Sequence, residues 1–509
     1  MQQLTGLDAT FITQESERMP MHISFLLIYD PSTVTGGFVR FKDILRTFES
    51  RLHMSPVFRR KLLQVPFGVD LPYWVEADDF DLEYHVRHIA LPAPGDWRQL
   101  SIQIARLHSR MLNRSRPLWE AYVIEGLDNI EWLPKGSFAI FLKMHHSAID
   151  GIAGLEIVGA IHDLEPTPVP GKSTYSNPAG RKRRAAERLP GELGLLARAC
   201  VNNLKQPVKM ARSVGKFIPA VSRIREGTKA QRFKSTPSLA KQNTRFSGEI
   251  SSNRAVDSCF FNLNDIKAIK NAVQGATVND VVITIISGAL RRYLEAKNEL
   301  PTESLVCAAP ISTRIDEELG SGGNRVSVMM INICTDIADP LQRLQQVHKE
   351  STSSKEYTKA VGARTLSELS ESAPPLLTAL GMRAALRLSL IAGVTSPINT
   401  VISNVPGSRV PLYMGGAQLL KTAAFAPITD NMGLLHGILS QDGGLSISFT
   451  TCREMLPDPA FYSQCIIASF SELQAATEKP SGNKRKSTAK IASGRKTRKK
   501  AAQLKAVDA

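Results

Sequence analysis

The stretch Met144-His145-His146-Ser147-Ala148-Ile149-Asp150-Gly151 constrains this chain more than any other. Its fixed positions read His-His-x-x-x-Asp-Gly, and they follow the apolar run Phe138 to Leu142, which has the composition of a buried strand. Histidine supplies only 10 of 509 residues, so an adjacent pair at this spacing from Asp-Gly is not a by-product of composition. Adjacent side chains on a strand point to opposite faces, so His145 and His146 cannot both look into one cleft. One works and the other packs. If the chain turns just after His146, Asp150 folds back beneath the loop, and Gly151 accepts a backbone shape that other residues resist. An imidazole held this way is a good general base, because its ordinary pKa of about 6.5 lies near the operating pH.

Rival readings of the pair remain. Two histidines at a strand end also occur as a hydrogen-bonded core pair. A metal site lacks ligands, since only His146 and Asp150 share a helical face and no clustered Cys or His-x-x-x-His adds to them, whereas catalytic zinc takes three. A serine nucleophile would sit in a Gly-x-Ser-x-Gly elbow, which the sequence does not contain.

A chain of 509 residues is long enough for two domains with ample cores. The net charge of +16 is concentrated in two places: residues 479–509 carry +10 and residues 181–225 another +10, leaving the rest mildly acidic. Six scattered cysteines and the lack of a signal-like N-terminus predict reduced thiols in a cytoplasmic protein. No run of 18 apolar residues occurs, so no membrane span is predicted.

In chain order, Leu4 to Phe11 predicts a turn and short helix, Met21 to Tyr29 a strand, Phe38 to Leu52 a helix and Tyr73 to Val75 an extended piece. His85 and His88, three apart, suit hydrogen-bonded roles better than a metal couple. Leu100 to Leu112 predicts a helix, and Pro117 marks the start of the strand Trp119 to Ile124. After the motif, Leu155 to Ile161 predicts a helix whose small neighbours Gly151, Ala153 and Gly154 would admit a ligand close to the backbone.

Residues 166–180 have linker composition. The basic segment that follows carries Leu193, Leu196, Cys200 and Leu204 at helical spacing, and fits either a helix packed on the body or one docked on an anionic lipid surface. From about Ile250 a second folded region predicts helices over Leu263–Ala272, Thr277–Tyr293 (capped by Thr277 or Asn279), Leu341–Lys349 and Phe461–Ala476. Its predicted strands are Val306–Arg314, Val326–Ile333, Thr400–Gly407 and Leu445–Thr450. The domain boundaries implied are 1–180, a basic linker 181–249, 250–477, and a Lys/Arg/Ala-rich tail 478–509 too poor in apolar residues to fold alone.

Taken together, several motifs carry a family resemblance. They are His145-His146-x-x-x-Asp150-Gly151, Pro117-Leu118-Trp119, Asn279-Asp280-Val281-Val282, Pro310 to Arg314, Gly323-Asn324 and Ser403-Asn404-Val405-Pro406-Gly407. In this order they resemble the bacterial wax ester synthase/diacylglycerol acyltransferases over residues 4 to 475. The His motif alone indicates only the wider superfamily of CoA-dependent acyltransferases and condensation domains.

The resemblance implies an α/β (α+β) fold of two chloramphenicol-acetyltransferase-like domains, each a mixed sheet flanked by helices, meeting at a channel. It also implies acyl transfer from a long-chain acyl-CoA co-substrate to the hydroxyl of a diacylglycerol or fatty alcohol, with no bound cofactor or metal. His146 would be the general base, Asp150 would orient the loop with Arg314 as its partner, and Asn279 would support the site or simply cap a helix. His145, Gly151, Pro117, Leu118, Trp119, Gly323, Asn324, Ser403 and Asn404 would shape the substrate-binding surface. His146 and Asn279 should face one channel, and His145 should point away from it.

Peripheral association with a membrane or lipid inclusion would follow from such substrates. Two alternatives stay open: a polyanion-binding protein that uses its basic tail on nucleic acid or membrane, and an acyltransferase with another acceptor.

Overall fold

The computed structural model describes residues 1–149, 151–167, 189–205, 243–312, 326–361 and 398–478. Two six-stranded mixed sheets organise the chain. The first contains β2 (His22–Asp30), β5 (Val86–Ala90), β6 (Trp119–Glu125) and β7 (Phe138–His145). The second contains β8 (Arg254–Asn262), β9 (Val306–Ser312), β10 (Val326–Asn332), β11 (Thr400–Pro406), β14 (Leu434–Gln441) and β15 (Gly444–Cys452). Each sheet mixes parallel and antiparallel pairs: β5 runs parallel to β6, and β11 runs parallel to both β9 and β14. A small third sheet of β1 (Gln2–Gln3), β3 (Arg60–Leu63) and β4 (Tyr73–Glu76) lies apart from these.

The apolar runs read as strands are buried on both faces. In β7 all eight residues are buried, and in β2 all but the last. A strand buried in this way needs a partner on each edge. β2 has β7 on one side, and on the other it takes β13 (Ala417–Phe425), which arrives from the second half of the chain with β12 (Tyr413–Met414) beyond it. The first sheet is therefore completed by residues far outside the N-terminal segment. Close passage of β13 over β14 depends on Gly437, where a Cβ would stand 2.3 Å from the Ala424 carbonyl oxygen.

Helices complete each half. α1 (Gly6–Gln14), α2 (Phe41–Arg51), α3 (Leu82–His85), α4 (Trp97–His108) and α5 (Gly151–Ala160) belong to the first half, and α6 covers residues 192–205. In the second half, α7 (Leu263–Asn271), α8 (Val278–Ala296), α9 (Pro340–Val361) and α10 (Pro459–Glu478) cover the sheet. α9 runs a dozen residues past the predicted Lys349. Its polar continuation is held by tertiary packing, with Ser351 buried and the Ser354 hydroxyl donating to the Met330 carbonyl. Among the described residues no helix is long and apolar enough to cross a membrane.

Candidate active site

Backbone bonds pin the turn after β7. His145 N–H donates to the Leu118 carbonyl (2.9 Å), His146 N–H to the Met21 carbonyl (2.8 Å), and Ala148 N–H back to His145 (3.0 Å). Burial and contacts then distinguish the two imidazoles. His145 is fully buried, and its Nδ1 accepts from the Ser147 amide at 3.1 Å, with the Ser147 hydroxyl 2.7 Å away. An amide can only donate, so the ring proton is assigned to Nε2, which lies 3.3 Å from Glu15 Oε1. His145 is thus a brace behind the loop.

Glu15 is the C-cap of α1 and is itself clamped. Its carboxylate accepts from Met21 N–H (3.2 Å) and from Arg114 Nε and Nη2 (2.9 and 2.7 Å). Burial pushes this carboxyl upward, but the contacts with His145, Arg114 and Met21 outweigh it and hold the group below its ordinary value. Deeper still, His22 stands with Nδ1 3.8 Å from Glu15 Oε1, and burial, with Lys143, His108 and His145 nearby, drives its pKa well below the imidazole range. Burial likewise brings Lys143 down to about 8, its ammonium donating to the last carbonyls of α4, Leu107 (3.1 Å), and to Arg110 (2.8 Å).

His146 is presented differently. It is half-buried, and one ring face is stacked on Phe11 of α1, with centroids 4.1 Å apart and planes within 9°. One short helix therefore covers His146 with Phe11 and braces His145 through Glu15.

In the second half, Thr277 caps α8, reciprocated by Asp280 in a capping box. Asn279 is thereby released from capping, and its Oδ1 faces Asn404 Nδ2 at 3.3 Å. Asn404 lies near the end of β11, with half-buried Ser403 before it. β11 touches α5, the helix that begins with Gly151 of the motif, so elements from both halves meet here. His348 of α9 steadies the corner, with Nδ1 3.0 Å from Asp280.

The other predicted residues divide. Pro117 and Leu118 are buried, Leu118 among Leu4, Ile12, Leu62 and Leu112, while its carbonyl holds His145. Trp119 is fully buried, its indole donating to the Phe58 carbonyl (3.1 Å) and its faces near His85 and Phe48. His85 Nδ1 meets the Trp119 carbonyl at 2.7 Å and His88 meets Glu125 at 3.0 Å, so the two part to separate partners. Gly154 serves packing instead of ligand access: a Cβ there would lie 2.9 Å from the Phe25 ring. Asp150, Arg314, Gly323 and Asn324 lie outside the described residues.

The sequence profile of the wax ester synthase/diacylglycerol acyltransferase catalytic domain matches residues 4–282, and that of the family's C-terminal domain matches residues 322–474. The chain belongs to this family. It is 32% identical over 477 residues to a probable diacylglycerol O-acyltransferase of Mycobacterium tuberculosis, covering 92% of this chain and 98% of that protein. It is 30% identical over 469 residues to the O-acyltransferase WSD of Acinetobacter baylyi, covering 90% of this chain and 93% of that protein.

In fold, the chain resembles a solved wax ester synthase/diacylglycerol acyltransferase from Marinobacter aquaeolei (TM-score 0.65, 23% identity, 94% of this chain and 100% of that one). It also resembles the first condensation domain of the calcium-dependent antibiotic synthetase (TM-score 0.55, 12% identity, 94% and 97%). The chain is thus an acyltransferase of the wax ester synthase/diacylglycerol acyltransferase family on a condensation-type fold.

Glu15, Arg114 and Phe11 escaped the sequence reading. A lone Glu after a helix, an Arg in a polar loop and one Phe carry no spacing rule that points to a histidine more than 30 positions away.

Proposed function

We propose that this acyltransferase moves a long-chain acyl group from acyl-CoA to the hydroxyl of a diacylglycerol or a long-chain fatty alcohol, with His146 as general base. The observation that supports this most is the unequal treatment of the two motif histidines. His145 is sealed in a buried brace, while His146, half-buried, is held by its backbone and by Phe11.

In the reaction, His146 takes the proton of the acceptor hydroxyl. The alkoxide oxygen bonds to the thioester carbonyl carbon, and the C–S bond then breaks. The imidazolium returns its proton to the CoA thiolate, leaving an ester and free CoA. Asn279, relieved of capping and partnered by Asn404, supports the site from the second half. Asp150 orients the loop, with Arg314 as its partner, and Gly323-Asn324 shapes a turn near the domain interface. Acyl-CoA is a co-substrate, so no resident cofactor is required. Such acceptors sit in lipid, and the enzyme works at the cytoplasmic face of a membrane or at a lipid inclusion.

The test is His146→Ala assayed for CoA release from palmitoyl-CoA with dioleoylglycerol or hexadecanol. A loss of about 100-fold or more is expected. Retained turnover in a folded variant overturns the assignment. Offering both acceptors together and analysing the products decides between triacylglycerol and wax ester synthesis.

A further inference from the structure

α6 has two apolar faces, and among the described residues only one is packed. Leu195 and Ala199 are buried against Val65, Tyr73 and Val75. Asn202 bonds Asp70 (2.7 Å) and Asn203 bonds the Val69 carbonyl (3.0 Å), fixing the helix to the small sheet and the turn beside it. At about 100° per residue, Leu193, Ala197, Cys200, Val201 and Leu204 form a second stripe, about 16 Å long and roughly opposite the first. Leu193 is 83% exposed, Leu204 80% and Val201 50%. Exposed Arg198 and Lys205 border this stripe along one side.

A neighbouring side chain is equally out of place. Phe67 is 87% exposed on the Pro66–Gly68 turn, with a backbone φ of 61°. Its flanking residues Val65 and Val69 pack in the same cluster as the buried face of α6. An aromatic residue in the left-handed region, bare to water, incurs backbone strain with no packing in return.

We propose that the outer stripe of α6, together with Phe67, docks on a lipid surface carrying anionic headgroups. The occupant follows from charge. Arg181, Lys182, Arg183, Arg184 and Arg188 precede the helix in sequence, and Lys209, Arg212 and Lys216 follow it. A second copy of the chain on this face would bring like charges together, whereas an anionic lipid layer complements them. Apolar side chains inserted at the headgroup boundary beside basic ones form the two-part attachment that holds a protein on such a surface. The proposal names the surface by which the lipid-phase reaction proposed above is reached, and it rests on that reading only for its purpose.

The experiment uses the full chain, Leu193→Glu/Leu204→Glu, and Phe67→Ser. Co-flotation is measured with phosphatidylcholine vesicles with and without phosphatidylglycerol. Binding of the full chain to the anionic vesicles is expected, falling with salt. It should drop at least roughly ten-fold in the double variant, and less in Phe67→Ser. Turnover of the water-dispersed pair octanoyl-CoA and hexanol should match the parent protein, because these side chains support no buried contact.

Unchanged flotation of both variants overturns the proposal. So does light scattering that shows a parent dimer made monomeric by the double variant, which would assign the face to a second copy. Failure of turnover with either acceptor class would overturn the proposed reaction while leaving the flotation result to decide the docking face.

Discussion

Replacing Glu15 by Ala tests whether the brace behind the motif sets His146, the general base proposed above. The change removes the acceptor of three hydrogen bonds, one from Met21 N–H and two from Arg114, and leaves His145 Nε2 facing a gap. Breaking a buried, bonded ion pair from one side costs about 3–5 kcal/mol. Arg114 is 35% exposed and can rehydrate, which places this case at the lower end, about 3 kcal/mol. For a chain of this size that lowers Tm by about 3 °C.

The effect on turnover should be larger in proportion. Met21, whose N–H is held by Glu15, gives its carbonyl to His146 N–H, and a reacting group misplaced by about 1 Å loses about 100-fold in rate. The expected outcome is kcat down about 100-fold, with KM for palmitoyl-CoA within about twofold of the parent. Glu15→Gln, which keeps the shape and one acceptor, should recover most of that loss. A folded Glu15→Ala protein with parental kcat would refute the brace.

Acid should destabilise the protein through three imidazoles kept neutral by burial. His108 and His436 are pushed down to about 3 and His162 to about 4. The unfolded chain binds these protons near pH 6.5 and the native protein does not, so stability falls as pH drops from 6.5 toward 4. Between pH 6.5 and 5.5 the loss is about 1 kcal/mol per histidine, measurable as a falling Tm in a pH series. Flat stability over that range would contradict the assignment. Asn404→Ala should lower kcat by the same route as Asn279→Ala, so the double variant should be no worse than Asn279→Ala alone; additive losses in steady-state kinetics would separate the two residues. Gly437→Ala should cost about 2 kcal/mol by forcing β13 away from β14, read as a Tm lowered by about 2 °C with unchanged kcat per folded molecule.

What the sequence made legible was local. The apolar run before His145, the helix start at Thr277 and the alternation of Leu445 to Thr450 each specify an element from a few neighbours, and each forms, with Thr277 and not Asn279 as the cap. The unequal burial of His145 and His146 is in keeping with the alternation expected along a strand. The strands Ala417–Phe425 and Leu434–Gln441 went unread. In the first, three alanines and a lysine dilute the pattern, and a bulge between Leu419 and Lys421 breaks its alternation. Its place beside β2 is a choice among sheet edges, which no local pattern encodes. Phe11 over His146 and Glu15 beneath His145 were hidden for the same reason: they are tertiary contacts of a helix whose own sequence only says that it is a helix.

The backbone of His146, contributed by one half, is held by contacts from both. The carbonyl that receives His146 N–H belongs to Met21, and the segment from Glu15 to Met21 is gripped from both halves. Glu15 and Arg114 fix it within the first half. Arg18 fixes it to the second, donating to the Ile250 carbonyl (2.7 Å) and to both oxygens of buried Asp430 (3.1 and 3.2 Å), while Arg254 reaches back to the Arg18 carbonyl. Burial lowers Arg254 to about 10, still charged at neutral pH. A displacement of the second half relative to the first would therefore pull on Arg18 and shift the Met21 carbonyl, and with it the backbone of His146. The histidine motif is local in sequence, but the position of His146, the base proposed above, is a property of the seam.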